Sequence, residues 1–304
     1  MLVRPASSRS QSKSGYGVAL SSELATAAIE ARSYGEEWPI LKTRAELALG
    51  KYPAALDSVA AGIERYSWSL RLQQLRIEAA LANGNREMAA AAISEVEKLA
   101  STASWRYTDA DDLTCLGEVA LLLGADPKAV QEGFFERARR NYPNRPEGFV
   151  SAARLALDKG DPAFAADLLK PVVKDFPDNA ELLFLLSEAL AEGDSKTALQ
   201  LRQQALEKNP RLFPALQRVA EQQIDAEDYE GADRTLQQML AVNPHLPAAH
   251  ALRSVIRHLQ GNATAEAESR AAALQFCINS PEPDHLIGTR LSRKYRFAEG
   301  AAAQ

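Results

Sequence analysis

From Glu36 onward the apolar positions fall into two helical stripes with a turn between them, and then the pattern starts again. Trp38, Ile40, Leu41, Ala45 and Leu47 recur at the three-to-four-residue spacing of one helix face. Gly50-Lys51-Tyr52 interrupts them, and Ala55, Leu56, Val59 and Ile63 make a second face that ends at Tyr66-Ser67. The stretch 70–101 repeats the plan, with Gly84 at the turn and Ala89, Ile93 and Val96 beyond it. Gly50 to Gly84 and Ala55 to Ala89 are each 34 residues apart. This pattern predicts pairs of antiparallel helices strung along the chain.

The register breaks at 102–110, where an insertion carries Trp105 and Tyr107. It resumes near Asp111 with Leu113, Leu116, Gly117 and Ala120; Gly124-Ala125-Asp126-Pro127 turns the chain, and Phe134, Phe135 and Ala138 pack the return helix. Three regular units follow, with turns at Gly160-Asp161-Pro162, Gly193-Asp194-Ser195 and Glu227-Asp228-Tyr229, and Ala165, Ala198 and Ala232 at one offset in their second helices. A seventh unit turns at Gly261-Asn262. The pairs Tyr142-Pro143, Phe176-Pro177, Asn209-Pro210 and Asn243-Pro244 close successive units at intervals of 34, 33 and 34 residues. Glycine can take the left-handed backbone that ends a first helix, and proline, lacking an N–H, cannot continue a second one. A small alanine early in the second helix lets the two axes approach. No such unit buries its apolar faces alone, so the period implies a stacked array.

The expected organisation is a Ser-rich basic tail over 1–17, an N-terminal helix within 18–35 (Ser22 to Arg32, capped by Ser21 or Ser22), and seven units at 36–67, 70–101, 111–143, 146–177, 179–210, 213–244 and 247–280. Residues 284–304 read as one more first helix, a turn at Lys294-Tyr295-Arg296, and the first two turns of a second helix. An array is expected to close on a polar capping helix, so the chain reads as a truncated piece of a longer one.

The large residue early in the first helix, small residues at its middle, glycine at the turn, alanine in the second helix and closing proline resemble the tetratricopeptide repeat (TPR) family. The most regular unit reads Phe149, Ala153, Gly160, Ala165, Pro177; the next two read Leu182, Gly193, Ala198, Pro210 and Leu216, Ala220, Ala232, Pro244. Most units lack the family's early tryptophan and its Leu-Gly pair, which Leu116-Gly117 alone supplies. The resemblance covers Glu36 to Gln304 and implies an all-α fold, an α-solenoid of helix–turn–helix repeats forming a right-handed superhelix. The segment from His285-Leu286-Ile287-Gly288 to Ala301 is similar to bacterial TPR proteins in which the array precedes a metallopeptidase-type domain, which implies a catalytic domain outside this chain.

Composition changes this picture little. A hydrophobic content of 46%, a charged content of 25% and a net charge of -5 suit a helical array and argue against a general phosphate-binding surface. No apolar run approaches the roughly 20 residues that span a bilayer, and no export signal is visible, so the cytoplasm is the default expectation. Cys115 and Cys277 read as small buried apolar residues. His245, His250, His258 and His285 form no HExxH, so no metal site, cofactor or catalytic residue is expected. Asp109, Asp111 and Asp112 sit where a helix begins and complement its dipole. The basic run Arg290, Arg293, Lys294 and Arg296 reads as the solvated face of a terminal helix, with Leu291, Tyr295 and Phe297 at core positions.

The resemblance implies that a ligand lies on the concave surface of the first helices. Their inward faces project Arg44, Gln74, Glu78, Thr114, Glu118, Arg154, Ser187, Gln217 and Glu221. The carboxylate clamp of chaperone-binding members needs lysine and asparagine where this chain has Val150, Arg154, Leu183 and Ser187, so that ligand class is not expected. The reading is a non-catalytic scaffold for a protein or peptide partner, without nucleic acid. The alternative is the substrate-recruiting N-terminal part of a larger enzyme.

Overall fold

The structure, a computed structural model, describes residues 15–31, 34–276, 281–294 and 299–301. Among the described residues all regular structure is helical: α1 (Gly15–Glu30), α2 (Glu37–Ala48), α3 (Tyr52–Arg65), α4 (Leu70–Ala82), α5 (Arg86–Thr102), α6 (Ala110–Leu122), α7 (Pro127–Val130) and α8 (Glu136–Asn141). The series continues with α9 (Glu147–Asp158), α10 (Pro162–Asp175), α11 (Ala180–Leu190), α12 (Ser195–Lys208), α13 (Phe213–Asp225), α14 (Tyr229–Val242), α15 (Pro247–Leu259), α16 (Ala263–Leu274) and α17 (Glu282–Arg293). First helices pack on their own second helices, and α2, α4, α6, α9, α13 and α15 also pack on the first helix of the next unit, which gives the α-solenoid that the period predicts. The tail expected over 1–17 lies mostly outside the described residues. The N-terminal helix begins at Gly15 and not at Ser22, because nothing in Val18-Ala19-Leu20 stops it; the expected serine cap is absorbed, and Ser22 accepts a bond from the Thr26 hydroxyl within the helix.

The turns show why the array repeats. Gly50, Gly84, Gly124, Gly160 and Gly261 take φ between +70° and +82°. The next N–H then reaches back across the helix end, as Asp161 does to the Ala156 carbonyl at 2.8 Å. Asn85, Asp126, Asp161, Asp194, Asp228 and Asn262 follow and cap the second helices, each accepting from the N–H three residues on. Two turns depart. Glu227 occupies the left-handed position itself at φ 65°. Gly193, expected to do so, does not; Asp194 bonds the Leu190 carbonyl at 2.8 Å, so the chain leaves α11 without a left-handed residue. Ala55, Ala165 and Ala232 are fully buried at the helix crossings.

The third unit carries two extra residues, which the fold absorbs separately. Ala125 lengthens the turn, so that Val130 and not Ala129 takes the buried crossing position. A π-helical turn over Gln131–Phe135 then takes up the second, between α7 and α8. The glycine of the Leu-Gly pair meets this bulge: a Cβ on Gly117 would lie 2.4 Å from the Phe135 ring. In the preceding insertion a 3₁₀ turn at Ser104–Arg106 exposes Trp105, while Tyr107 is buried and donates to the Trp68 carbonyl at 2.9 Å.

The last units are tied together by charge. Arg290 on α17 is 3% exposed and reaches Asp225 at 3.0 Å and Glu221 at 3.4 Å. Lys294 donates to the Asp225 carbonyl at 2.8 Å and pairs with Glu227 at 3.1 Å. Arg290 and Lys294 are therefore an intramolecular clamp and not a solvated face, because α17 lies across the C-terminal end of α13 where Glu221 and Asp225 wait for them; Arg293, 3.6 Å from Asp225, stays exposed as expected. Arg296, Tyr295, Phe297 and Cys277 lie outside the described residues; Cys115 is buried as expected.

The array also meets itself. Tyr52, at the start of α3, accepts a hydrogen bond on its hydroxyl from the Asn243 amide at 3.1 Å, across 191 residues of chain. Its ring stands edge-on to Phe276 at 5.1 Å and lies 6.3 Å from His245, which is itself 4.5 Å from Phe276. The first unit thus touches the junction of the sixth and seventh.

Candidate interaction groove

The first helices α2, α4, α6 and α9 turn one stripe each toward a shared concavity. Arg44 comes from α2, Gln74 and Glu78 from α4, Thr114 and Glu118 from α6, and Arg154 from α9; all six line one cavity of about 830 Å³. On each helix the stripe advances by three or four residues, which keeps successive side chains on one face. The same stripes extend one turn toward the helix starts through Arg71, Asp111, Glu147 and Ser151. That extension was legible from the spacing. The opposite wall was not, because it is made by the unit junctions 175–181 and 208–212, which read as punctuation.

The three remaining inward candidates are placed elsewhere. Ser187 is fully buried and donates to the Phe184 carbonyl at 2.6 Å. Glu221 is 3% exposed and accepts from Gln217 at 2.9 Å and from Arg218 at 2.7 Å, besides facing Arg290. Neither Ser187, Gln217 nor Glu221 lines the cavity. For Gln217 and Glu221 the reason is the clamp of α17 on α13: the inner stripe of the sixth unit is spent on the last helix instead of opening into the concavity.

Charge in the groove is mostly paired within its walls. Glu118 accepts from Gln74 at 2.5 Å and from Ser151 at 2.7 Å, joining three successive first helices. Arg71 pairs with Glu36, with Glu37 at 2.8 Å and with Asp111 at 3.5 Å. Burial alone would lower its pKa, but Glu37 and Glu36 hold it raised. Arg154 pairs with Glu181. Glu78 touches the solvent of the cavity while protein crowds it from the walls. That loss of water, together with the Glu118 carboxylate, raises its pKa, and Arg44 and Arg154 pull the other way. Altogether seven carboxylates and four cationic side chains line the cavity, and Arg145 beside it pairs with Asp111 at 2.7 Å and with Glu147 at 3.1 Å.

Among the carboxyls, burial and then the neighbouring Asp109 raise the Asp112 pKa to about 7. Burial pushes the Cys115 thiol well above its ordinary range, which leaves it protonated at neutral pH. No three of His, Cys, Asp and Glu are placed to hold a metal ion among the described residues. No helix among them is long and apolar enough to cross a membrane.

Residues 150–212 match the tetratricopeptide repeat family model. No curated protein matches the sequence. Among solved structures, a chain of the APC/C Cut9–Hcn1 hetero-tetramer superposes at a TM-score of 0.63 and 12% identity, covering 95% of this chain and 56% of that one. The human IFIT1 dimer with m7Gppp-AAAA superposes at 0.55 and 14% identity, covering 95% of this chain and 75% of that one. A thermophilic TPR protein of Thermus thermophilus shares 21% identity over 64% of this chain and 99% of its own, at a TM-score of 0.49. The family match over the fourth and fifth units and the two near-complete superpositions support the tetratricopeptide resemblance, and the fold is that of a TPR-like α-solenoid.

Proposed function

We propose that this chain is a non-catalytic scaffold that holds a segment of a partner protein in the groove of its first helices. The observation that carries the reading is the convergence of Arg44, Gln74, Glu78, Thr114, Glu118 and Arg154, from four successive units, on one cavity of about 830 Å³. A helix about 10–12 Å across would fill that space in fewer than about two turns, which suits a short peptide segment as the occupant. Side chains of both signs and amides offer hydrogen bonds to a peptide backbone and to its polar side chains, which is how an extended surface gains specificity. The surplus of carboxylates disfavours RNA or DNA, whose affinity rests on contacts from lysine and arginine.

The test is selection from a random dodecapeptide display library on the intact chain, followed by binding measurements on the selected peptide. Glu118→Lys and Arg154→Glu are expected to weaken binding by about tenfold or more, the worth of one buried charge contact. Glu97→Lys, on the outer face of α5, is expected to leave it unchanged. Equal affinity for all three variants would remove the groove as the binding site.

A further inference from the structure

The contact between the first unit and the sixth–seventh junction differs in kind from the contacts between neighbouring units. Neighbouring units are joined by helices packed along their length. Among the described residues no helix of the first pair packs in that way on α13 to α16. The ends meet instead through side chains at element boundaries: Gly50 and Tyr52 on one side, Asn243, His245 and Phe276 on the other.

The seam is nevertheless closely fitted. Asn243 is 2% exposed and Tyr52 6%. The Asn243 amide nitrogen bonds the Tyr52 hydroxyl, and its amide oxygen accepts the His245 N–H at 3.0 Å, so both ends of the side chain are held. Gly50 has two reasons to be glycine. Its φ is +71°, and a Cβ there would lie 2.3 Å from the Asn243 oxygen. Gly160 has nearly the same backbone, φ +73°, but a Cβ there meets nothing within 4 Å. The first of these turns is shaped for a distant part of the chain; the other is only a turn.

We infer that Gly50, Tyr52, Asn243, His245 and Phe276 form a clasp that shuts the array into a ring around the groove, and that opening this clasp admits the partner polypeptide. The inference rests on the groove as the binding site. In the shut ring Arg44 of the first unit and Leu212 at the start of the sixth line one cavity, so freeing the ends widens the space between them. A few side chains at loop ends can part without unpacking any helix pair, whereas separating two neighbouring units cannot be done so lightly. A chain closed most of the time binds its partner with an apparent affinity reduced by the fraction that is open, so loosening the clasp should speed and tighten binding.

Two spin labels read the clasp without any ligand. Asp57→Cys and Ala241→Cys put labels on exposed positions of α3 and α14, with Cys277→Ser; the buried, protonated Cys115 thiol stays unlabelled. The parent and Gly160→Ala are expected to give one short, narrow distance distribution, and Gly50→Ala a longer and broader one. Gly160→Ala controls for backbone strain, since it shares the strain and not the contact. Identical distributions for Gly50→Ala and Gly160→Ala would overturn the clasp.

Tyr52→Phe keeps the ring and loses only the hydrogen bond, so it serves where Gly50→Ala does not fold. With the library-selected peptide in stopped flow, Tyr52→Phe is expected to raise the association rate roughly fivefold, the factor that one such bond is worth. An unchanged rate beside a peptide that still responds to Glu118→Lys would overturn the gate and leave the groove standing. A peptide insensitive to Glu118→Lys and Arg154→Glu would overturn the groove, and with it the gate.

Discussion

Gly160 and Gly193 look alike in the sequence and do different work in the fold. Gly160 sits at φ +73° with open space where a Cβ would go, so Gly160→Ala is expected to cost about 1–2 kcal/mol from backbone strain alone. Gly193 has no left-handed backbone and equally open space. Gly193→Ala is therefore expected to be neutral or to stabilise by up to about 0.5 kcal/mol, by restricting the unfolded chain. Urea midpoints at constant slope check both, and a loss at Gly193 as large as at Gly160 would refute the assignment. The turns were legible because glycine is the residue that tolerates them. What the residue does at one particular turn was not, since Glu227 takes the strained position in the sixth unit and the fifth unit avoids it by one bond from Asp194 to Leu190. The caps were also visible in principle: Asp161, Asp194 and Asp228 stand directly after the turns, where an acceptor side chain satisfies an otherwise orphaned N–H.

At the scale of elements, the last helix shows where pattern reading stops. The alternation of Arg290, Leu291, Arg293 and Lys294 has the look of an exposed basic stripe, and only the path of α17 over α13 shows that Arg290 is buried between Glu221 and Asp225. Removing one partner from such a buried set leaves charge without compensation, so Arg290→Met is expected to destabilise by roughly 3–5 kcal/mol, less whatever Arg218 recovers by holding Glu221. Thermal and urea unfolding measure this, and a neutral effect would mean that the clamp contributes nothing. His258 on α15 ties the same end with a weaker bond. Its two ring nitrogens lie 2.8 Å from Glu299 and 3.0 Å from Glu266. The hydrogen bond to Glu299, then that to Glu266, raises its pKa against the opposing effect of burial. Because the folded chain holds this proton more tightly, the stabilisation is complete below the ordinary imidazole value of about 6.5 and fades as pH climbs through the higher folded value. The melting temperature of the parent should therefore fall between pH 5.5 and 8.5 by more than that of His258→Gln. Equal falls would show that the two carboxylates do not hold the imidazolium.

A linear stack of repeats is stabilised by the units themselves and by their nearest neighbours, so distant units should not sense one another. The period of 34 residues announces such a stack, and the inner stripes of α2, α4, α6 and α9 announce half of the groove. Curvature is different. It accumulates from small rotations between units, and nothing in Tyr52 or Asn243 says that they will meet. The closed ring has a thermodynamic signature that an open stack lacks. Tyr52 and Phe276 stand edge-on at 5.1 Å from opposite ends of the array, a geometry worth about 0.5–1.5 kcal/mol between aromatic rings. In a double-mutant cycle of Tyr52→Ala and Phe276→Ala, the combined loss should fall short of the sum of the single losses by about that amount. Tyr52→Ala with Phe149→Ala, which packs in the core of the fourth unit, should be additive within about 0.5 kcal/mol. If the first pair proves as additive as the second, the ends of the array act independently in solution, and the groove is a furrow open on one side.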